Sequence, residues 1–149
     1  LSEPKKAPTE AANKNVVQQA ETKTLTCVRP LNTNETATLS ASYGNFERQF
    51  IFKSNNLDTL NESYIYQFET ETAATAAKEK LDGEIQNEAG KQTSTVVTIN
   101  QLKKTTVISA ENLDNFLKSN SDYSSVTDRS LNGFLTQQNQ QGLSCTTIE

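Results

Sequence analysis

Two cysteines, Cys27 near the start and Cys145 four residues from the end, constrain this chain more than any other feature. They are the only cysteines in 149 residues. If they join, almost the whole domain closes into one loop, and the fold must bring its two ends together. Termini of single domains often lie close, so the demand is reasonable. In the chain-entropy description, a bond across a loop of this order stabilises by about 4.7 kcal/mol. Two buried free thiols are the alternative, since reduced cysteine is an ordinary small core residue. A redox site is disfavoured because the close C-x-x-C spacing is absent and no histidine exists to lower a thiolate pKa. The reading taken is a disulfide, which implies an oxidising compartment.

A staple would matter because the core is thin. Leu, Ile, Val and Phe make up about a fifth of the chain, close to the level at which disorder becomes the better expectation. Their clustering after Thr24 favours a folded domain. Residues 1–22, "LSEPKKAPTEAANKNVVQQAET", hold two of the three prolines and almost no large apolar side chain. They read as a flexible tether, with a helix over Glu10–Glu21 as the alternative. Residues 23–149 read as one domain.

Within it, "KTLTCV" alternates Leu25 and Cys27 against Thr24, Thr26 and Val28, the period of a strand. "LNTNE" predicts a turn and "TATLSASY" a second strand. "FERQFIFK" places Phe46, Phe50 and Phe52 on one face. "SNNLDTLNE" reads as a polar bend, and "SYIYQFE" puts Tyr64, Tyr66 and Phe68 on one face. Together these predict an antiparallel meander with one oily side. "TETAATAAKEKLDGEIQNEAG" predicts a long helix capped by Thr70, facing inward through Ala73 or Ala74, Ala77, Leu81 and Ile85, and ended by Gly90. Gly83 weakens it unless close packing needs the gap. Thr93–Ile99 and Thr105–Ser109 predict a hairpin around "NQLKK", with one long bent strand as the alternative. Two short helices follow: "ENLDNFLK" after Ser109 or Ala110, and "SLNGFLTQQNQQ", capped by Ser130 and ended by Gly142. The expected class is α+β: a twisted antiparallel sheet with one long and one or two short helices on one face.

Absences exclude much chemistry. With no histidine, every Ser-His-Asp or Cys-His arrangement and most transition-metal sites are removed. Two cysteines alone do not complete a structural zinc site. No phosphate-cradling glycine motif and no calcium loop occurs, so no cofactor and no metal are expected. Two carboxylate pairs remain formally available. Glu69 and Glu71 share a face if extended, and Asp122 and Asp128 flank a polar loop. Neither pair has the apolar surroundings a glycosidase acid needs, so helix-end and turn roles are the better reading. The net charge of −4 carries no basic stripe, so nucleic acid is not an expected partner. No apolar run reaches the roughly 18 residues needed to cross a bilayer. No methionine occurs, not even at position 1, and the expectation is that an upstream leader has been removed.

The aromatics read as the core face of the sheet, while Tyr43 and Tyr123 lie outside that pattern and are candidates for an exposed binding patch. Asn34-Glu35-Thr36 and Asn61-Glu62-Ser63 match the glycosylation sequon, a short pattern in an Asn- and Thr-rich chain.

The order of tether, "KTLTC" strand, meander, Ala-rich helix, hairpin, short helix and a closing helix ending "QQNQQGLSCT" resembles the small YehR-like lipoproteins of Gram-positive bacteria. The resemblance spans about Lys23 to Thr147 and rests on Cys27 in the first strand and on Gly142 with Cys145 after the last helix. It implies a single extracytoplasmic domain anchored by a lipid upstream of Leu1, and it brings no catalytic residues. The expectation is therefore a monomeric, exported, non-enzymatic domain that binds an unknown ligand or protein. An envelope structural or interaction domain is the alternative, and a hydrolase using carboxylates alone the least favoured.

Overall fold

The computed structural model describes residues 21–149, so the tether reading for residues 1–20 lies outside the described residues. Six strands form one sheet in the order β4-β5-β3-β2-β1-β6, every neighbouring pair antiparallel. They are β1 (Thr22–Pro30), β2 (Tyr43–Lys53), β3 (Asn56–Gln67), β4 (Lys91–Thr98), β5 (Gln101–Ile108) and β6 (Ser144–Ile148). The helices are α1 (Thr33–Ala37), α2 (Glu71–Glu84), α3 (Ala110–Ser119) and α4 (Leu131–Gln140). This is the expected α+β class, with the helices packed on one face of the sheet. Thr22 already pairs with Lys53, so the sheet begins inside the segment read as tether.

The alternation in β1 and β2 sends Leu25, Cys27, Phe46, Phe50 and Phe52 inward, where all are buried. α3, α4 and the loop between them cover these with Leu113, Leu117, Phe134 and the loop residue Tyr123, forming the larger core. A second core gathers Tyr66, Phe68 and Leu102 under Ala74, Ala77 and Leu81 of α2. Thr70 caps that helix as expected, accepting a hydrogen bond from Ala73 N–H at 3.1 Å. Of the two candidate alanines, Ala74 is the buried one. Among the described residues no helix lies over the opposite face of the sheet, which carries mainly Thr, Ser, Asn and Gln. Ser63 and Thr105 hydroxyls pair there at 3.0 Å.

Four local expectations are corrected. "TATLSASY" does not form a strand: its first residues lie in α1, and the chain then turns through Ser40 at φ +57°. A reciprocal cap decides this. Asn32 Oδ1 accepts from Glu35 N–H at 2.8 Å while Glu35 Oε1 accepts from Asn32 N–H at 2.9 Å. Those bonds outweigh a weak Ala-Leu-Ala alternation. "SNNLDTLNE" is not a bend either. Ser54 and Asn55, both at positive φ (51° and 68°), make a two-residue turn, and β3 runs on from Asn56. Its polar residues are tolerated because alternate positions face the bare side of the sheet. The long helix stops at Glu84, short of Gly90, and nothing lies within 4 Å of where a Cβ at Gly83 would be, so packing does not require that glycine. Gly90 serves the loop entering β4 at φ +79°, where a Cβ would meet Asn112 Cβ at 2.7 Å. Finally, "NQLKK" is mostly strand: the hairpin turn is Ile99-Asn100, and Gln101–Lys104 belong to β5.

Ile99 occupies that turn at φ +55° with 74% of its surface exposed. A β-branched residue in the left-handed region is strained, and asparagine tolerates it far better. Ile99→Asn is expected to raise stability by about 0.5–1 kcal/mol, read as a higher urea midpoint with an unchanged slope.

Candidate functional site

The two apolar cores share Leu31 and Tyr64 at their margins. Two adjacent rows of polar and aromatic side chains cross the helix side of the sheet between them. Register places Arg29, Phe46, Tyr64 and Lys104 opposite one another on β1, β2, β3 and β5. The neighbouring row is Cys27, Arg48, Glu62 and Thr106.

Arg48 organises the band. It is 4% exposed and lies on the same face as the phenylalanines of β2. Its Nε donates to Glu62 Oε2 at 3.1 Å, Nη2 to Asp122 Oδ2 at 2.8 Å, and Nη1 to Gln138 Oε1 at 2.8 Å and Gln141 Oε1 at 2.9 Å. The guanidinium carbon lies 4.8 Å from the ring centroids of both Phe46 and Tyr123. Only a planar fork of donors meets several acceptors while packing against aromatic rings. The Tyr123 hydroxyl also donates to Glu62 Oε2, and Gln137 and Gln141 donate to the Asp122 carbonyl. Burial pushes the Tyr123 phenol well above its ordinary value, and the Glu62 charge adds to this, so it stays a neutral donor.

On β1, Arg29 grips Glu35 with two bonds of 2.8 and 2.9 Å and lies 4.8 Å from the Phe46 ring. The Arg29 hydrogen bond, with a smaller contribution from the Asn32 N–H, holds the Glu35 carboxyl below its usual range. A carboxyl depressed in the folded state contributes stability that is present above its unfolded pKa and lost as pH falls through the folded one. Stability is therefore expected to decline as pH drops below about 4.5, the ordinary glutamate value. Glu35→Gln should flatten that part of the curve when urea midpoints are compared at pH 3 and pH 6.

At its β4 end the band opens into a hollow of 360 Å³ lined by Leu81, Glu84, Ile85, Gln86, Lys91, Thr93, Lys104 and Thr106. Thr93 and Thr106 hydroxyls pair at 2.9 Å on its floor. Lys104 Nζ lies 5.4 Å from the Tyr64 ring and Lys91 Nζ 5.6 Å from Phe116. Neither lysine has a carboxylate within ion-pair distance among the described residues.

The structure joins Cys27 and Cys145 as a disulfide. They sit directly opposite on β1 and β6, at the sheet edge rather than in a pocket. Glu69 and Glu71 are both exposed, the second in the first turn of α2. Asp122 and Asp128 have separate duties. Asp122 binds Arg48, whereas Asp128 accepts from Ser130 N–H at 3.0 Å ahead of α4 and is held below the ordinary aspartate range by Ser130. Gly133 permits this approach, since a Cβ there would lie 1.9 Å from the Asp128 carbonyl oxygen. Tyr43 is 66% exposed, as expected, but Tyr123 is 1% exposed and is corrected to core. Its loop folds inward because its ring covers Arg48 and its hydroxyl meets Glu62. Asn34 of the first sequon is exposed, while Asn61 of the second lies within β3 with its Oδ1 buried and without a partner. Arg48 itself went unread, although the alternation that selects Phe46, Phe50 and Phe52 puts Arg48 on their face.

No helix among the described residues is long and apolar enough to cross a membrane. No family model and no curated protein matches the chain. The architecture of one antiparallel sheet with helices on one side does have a solved counterpart, and the class it defines is a YehR-like α+β fold. The counterpart is the NMR structure of the YehR protein of E. coli, with a TM-score of 0.52 at 14% identity, covering 88% of this chain and 94% of that one. At that identity the likeness is one of fold.

Proposed function

We propose that this is an exported, non-enzymatic binding domain, held at the outer face of a membrane by an anchor upstream of Leu1, in the manner of the YehR-like lipoproteins of Gram-positive bacteria. The observation that carries the reading is the Cys27–Cys145 disulfide, because such bonds persist in oxidising compartments and are rare in the reducing cytoplasm. Binding is favoured over catalysis by the state of the polar groups. Arg29, Arg48, Glu35 and Glu62 neutralise one another, the buried phenols are held neutral, and Tyr66 is lifted by burial to about 12. The seat for a small ligand is the hollow beside Lys91 and Lys104, which also carries the Glu84 carboxylate and has the apolar Leu81 and Ile85 at one side. A second reading, an envelope structural or interaction domain, draws on Val28, Val96, Val107 and Ile148, all exposed on the bare sheet face.

Protease treatment of intact source cells, combined with thiol alkylation before and after reduction, tests the export reading. The expected result is cleavage from outside and alkylation of both cysteines only after reduction. Protection from protease together with immediate alkylation would overturn it.

A further inference from the structure

The hollow at the β4 end of the band gathers charges of both signs that do not pair. Lys91 and Lys104 line it from β4 and β5, and Glu84 lines it from the last turn of α2. None of the three makes an ion pair among the described residues. The two arginines on the same face of the sheet, Arg29 and Arg48, are both paired with carboxylates. Lys80 stands one turn before Glu84, at the spacing of a helical ion pair, yet it donates to the Thr38 carbonyl at 3.2 Å. Lys91 and Lys104 lie over the rings of Phe116 and Tyr64.

Each sign of charge has its own side of the hollow. On the floor, Thr93 and Thr106 hydroxyls pair at 2.9 Å. One hydroxyl hydrogen makes that bond, and the other has no acceptor among the described residues, so a donor remains between two ammonium groups. The facing wall is the C-terminal end of α2. After α1, α3 and α4 the backbone N–H of the capping residue bonds back to a carbonyl, whereas the N–H of Ile85 does not. The carbonyls of Asp82, Gly83 and Glu84 accept no hydrogen bond among the described residues, and no basic residue lies in that last turn. Open carbonyls, the negative end of the helix dipole and the Glu84 carboxylate together favour a cation there. Leu81 and Ile85 add an apolar surface beside it. At 360 Å³ the hollow is near the lower end of ligand pockets, which run from about 300 to 1,000 Å³.

We propose that the hollow takes a small zwitterion, a free α-amino acid or dipeptide with an aliphatic side chain. Its carboxylate lies between Lys91 and Lys104 over the threonine hydroxyls. Its ammonium meets Glu84 and the open carbonyls of α2, and its side chain packs on Leu81 and Ile85. This rests on the reading of the hollow as the ligand seat. A simple anion is a poorer occupant, because Glu84 repels it from within the same site.

Leucine and leucyl-leucine are titrated into the full chain beside two analogues: isocaproate, which lacks the ammonium, and isoamylamine, which lacks the carboxylate. Calorimetry reads the affinity, and shifts of the ¹⁵N-labelled protein read the place. The zwitterions should move Ile85, Thr93 and Thr106, and each analogue should bind about tenfold more weakly or worse. The sign of one substitution discriminates. Glu84→Gln should weaken the zwitterions about tenfold and tighten isocaproate, whereas Lys104→Gln should weaken both. Binding by either leucine or leucyl-leucine supports the class, and the tighter of the two sets the ligand's size. If isocaproate binds as tightly as leucine and Glu84→Gln tightens both, the seat stands and the zwitterion is overturned. If no probe shifts the lining residues, the seat and the proposal fall together. Contacts from residues 1–20 to Leu81 and Ile85 in the free protein, undisturbed by leucine, would assign the hollow to the chain's own start and overturn the proposal as well.

Discussion

Replacing Cys27 and Cys145 by alanine is expected to lower stability by about 4–5 kcal/mol, the chain-entropy value for a closed loop of this length. For a domain of this size that corresponds to a fall in melting temperature on the order of 10–20 °C. The native side of the bond should respond locally too. β6 is five residues long, pairs among the described residues only with β1, and leaves four of its side chains exposed. Apart from Leu143 just before it, little apolar burial ties it down. Without the bond, backbone amides of β6 should exchange much faster than those of β2 and β3. A melting shift below about 3 °C would show that the unfolded chain gains little freedom when the loop is opened.

The second large effect is expected at Arg48. Arg48→Ala removes the cation from a nearly dry site and strands Glu62, whose side chain is 17% exposed. Breaking a buried pair from one side costs about 3–5 kcal/mol, much of it the penalty of the charge left behind. Arg48→Lys should recover only a minor part, because an ammonium cannot span Glu62, Asp122, Gln138 and Gln141 while packed between two rings. Arg48→Met combined with Glu62→Gln should lose less than Arg48→Met alone, since both charges then leave together. Urea unfolding of the four proteins in that cycle measures the coupling. If Arg48→Ala costs under 1 kcal/mol, the ion cluster is not what docks α4 and the Tyr123 loop on the sheet.

These two sites divide cleanly by how far information travels along the chain. The inward run of Phe46, Phe50 and Phe52, the caps at Thr70 and Ser130, and the α+β class were legible because side-chain alternation and capping act within about four residues. The signature Asn32-x-x-Glu35 is as local, but it stands beside a competing alternation at Ala37, Leu39 and Ala41 that points to a strand. The cysteine pair was readable for a different reason: two cysteines allow a single pairing.

The candidate site was mostly not legible. Glu62 and Arg48 meet because β2 and β3 pair in one register, and a one-residue slip of β3 would send Glu62 to the bare face and leave Arg48 without it. Asp122, Gln138 and Gln141 join Arg48 from 74, 90 and 93 residues away. No local pattern marks Gln138, which is wholly buried in a helix of polar composition.

The sequence by itself settled which segments alternate, where most helices begin and which covalent bond could form, since each depends on near neighbours or on simple scarcity. The tertiary structure alone decided the strand order, the burial of Tyr123 and the gathering of one arginine with its distant partners. Those outcomes depend on which surfaces meet once the sheet has twisted and the helices have docked, and free energies of contact between distant segments leave no periodic trace in the chain.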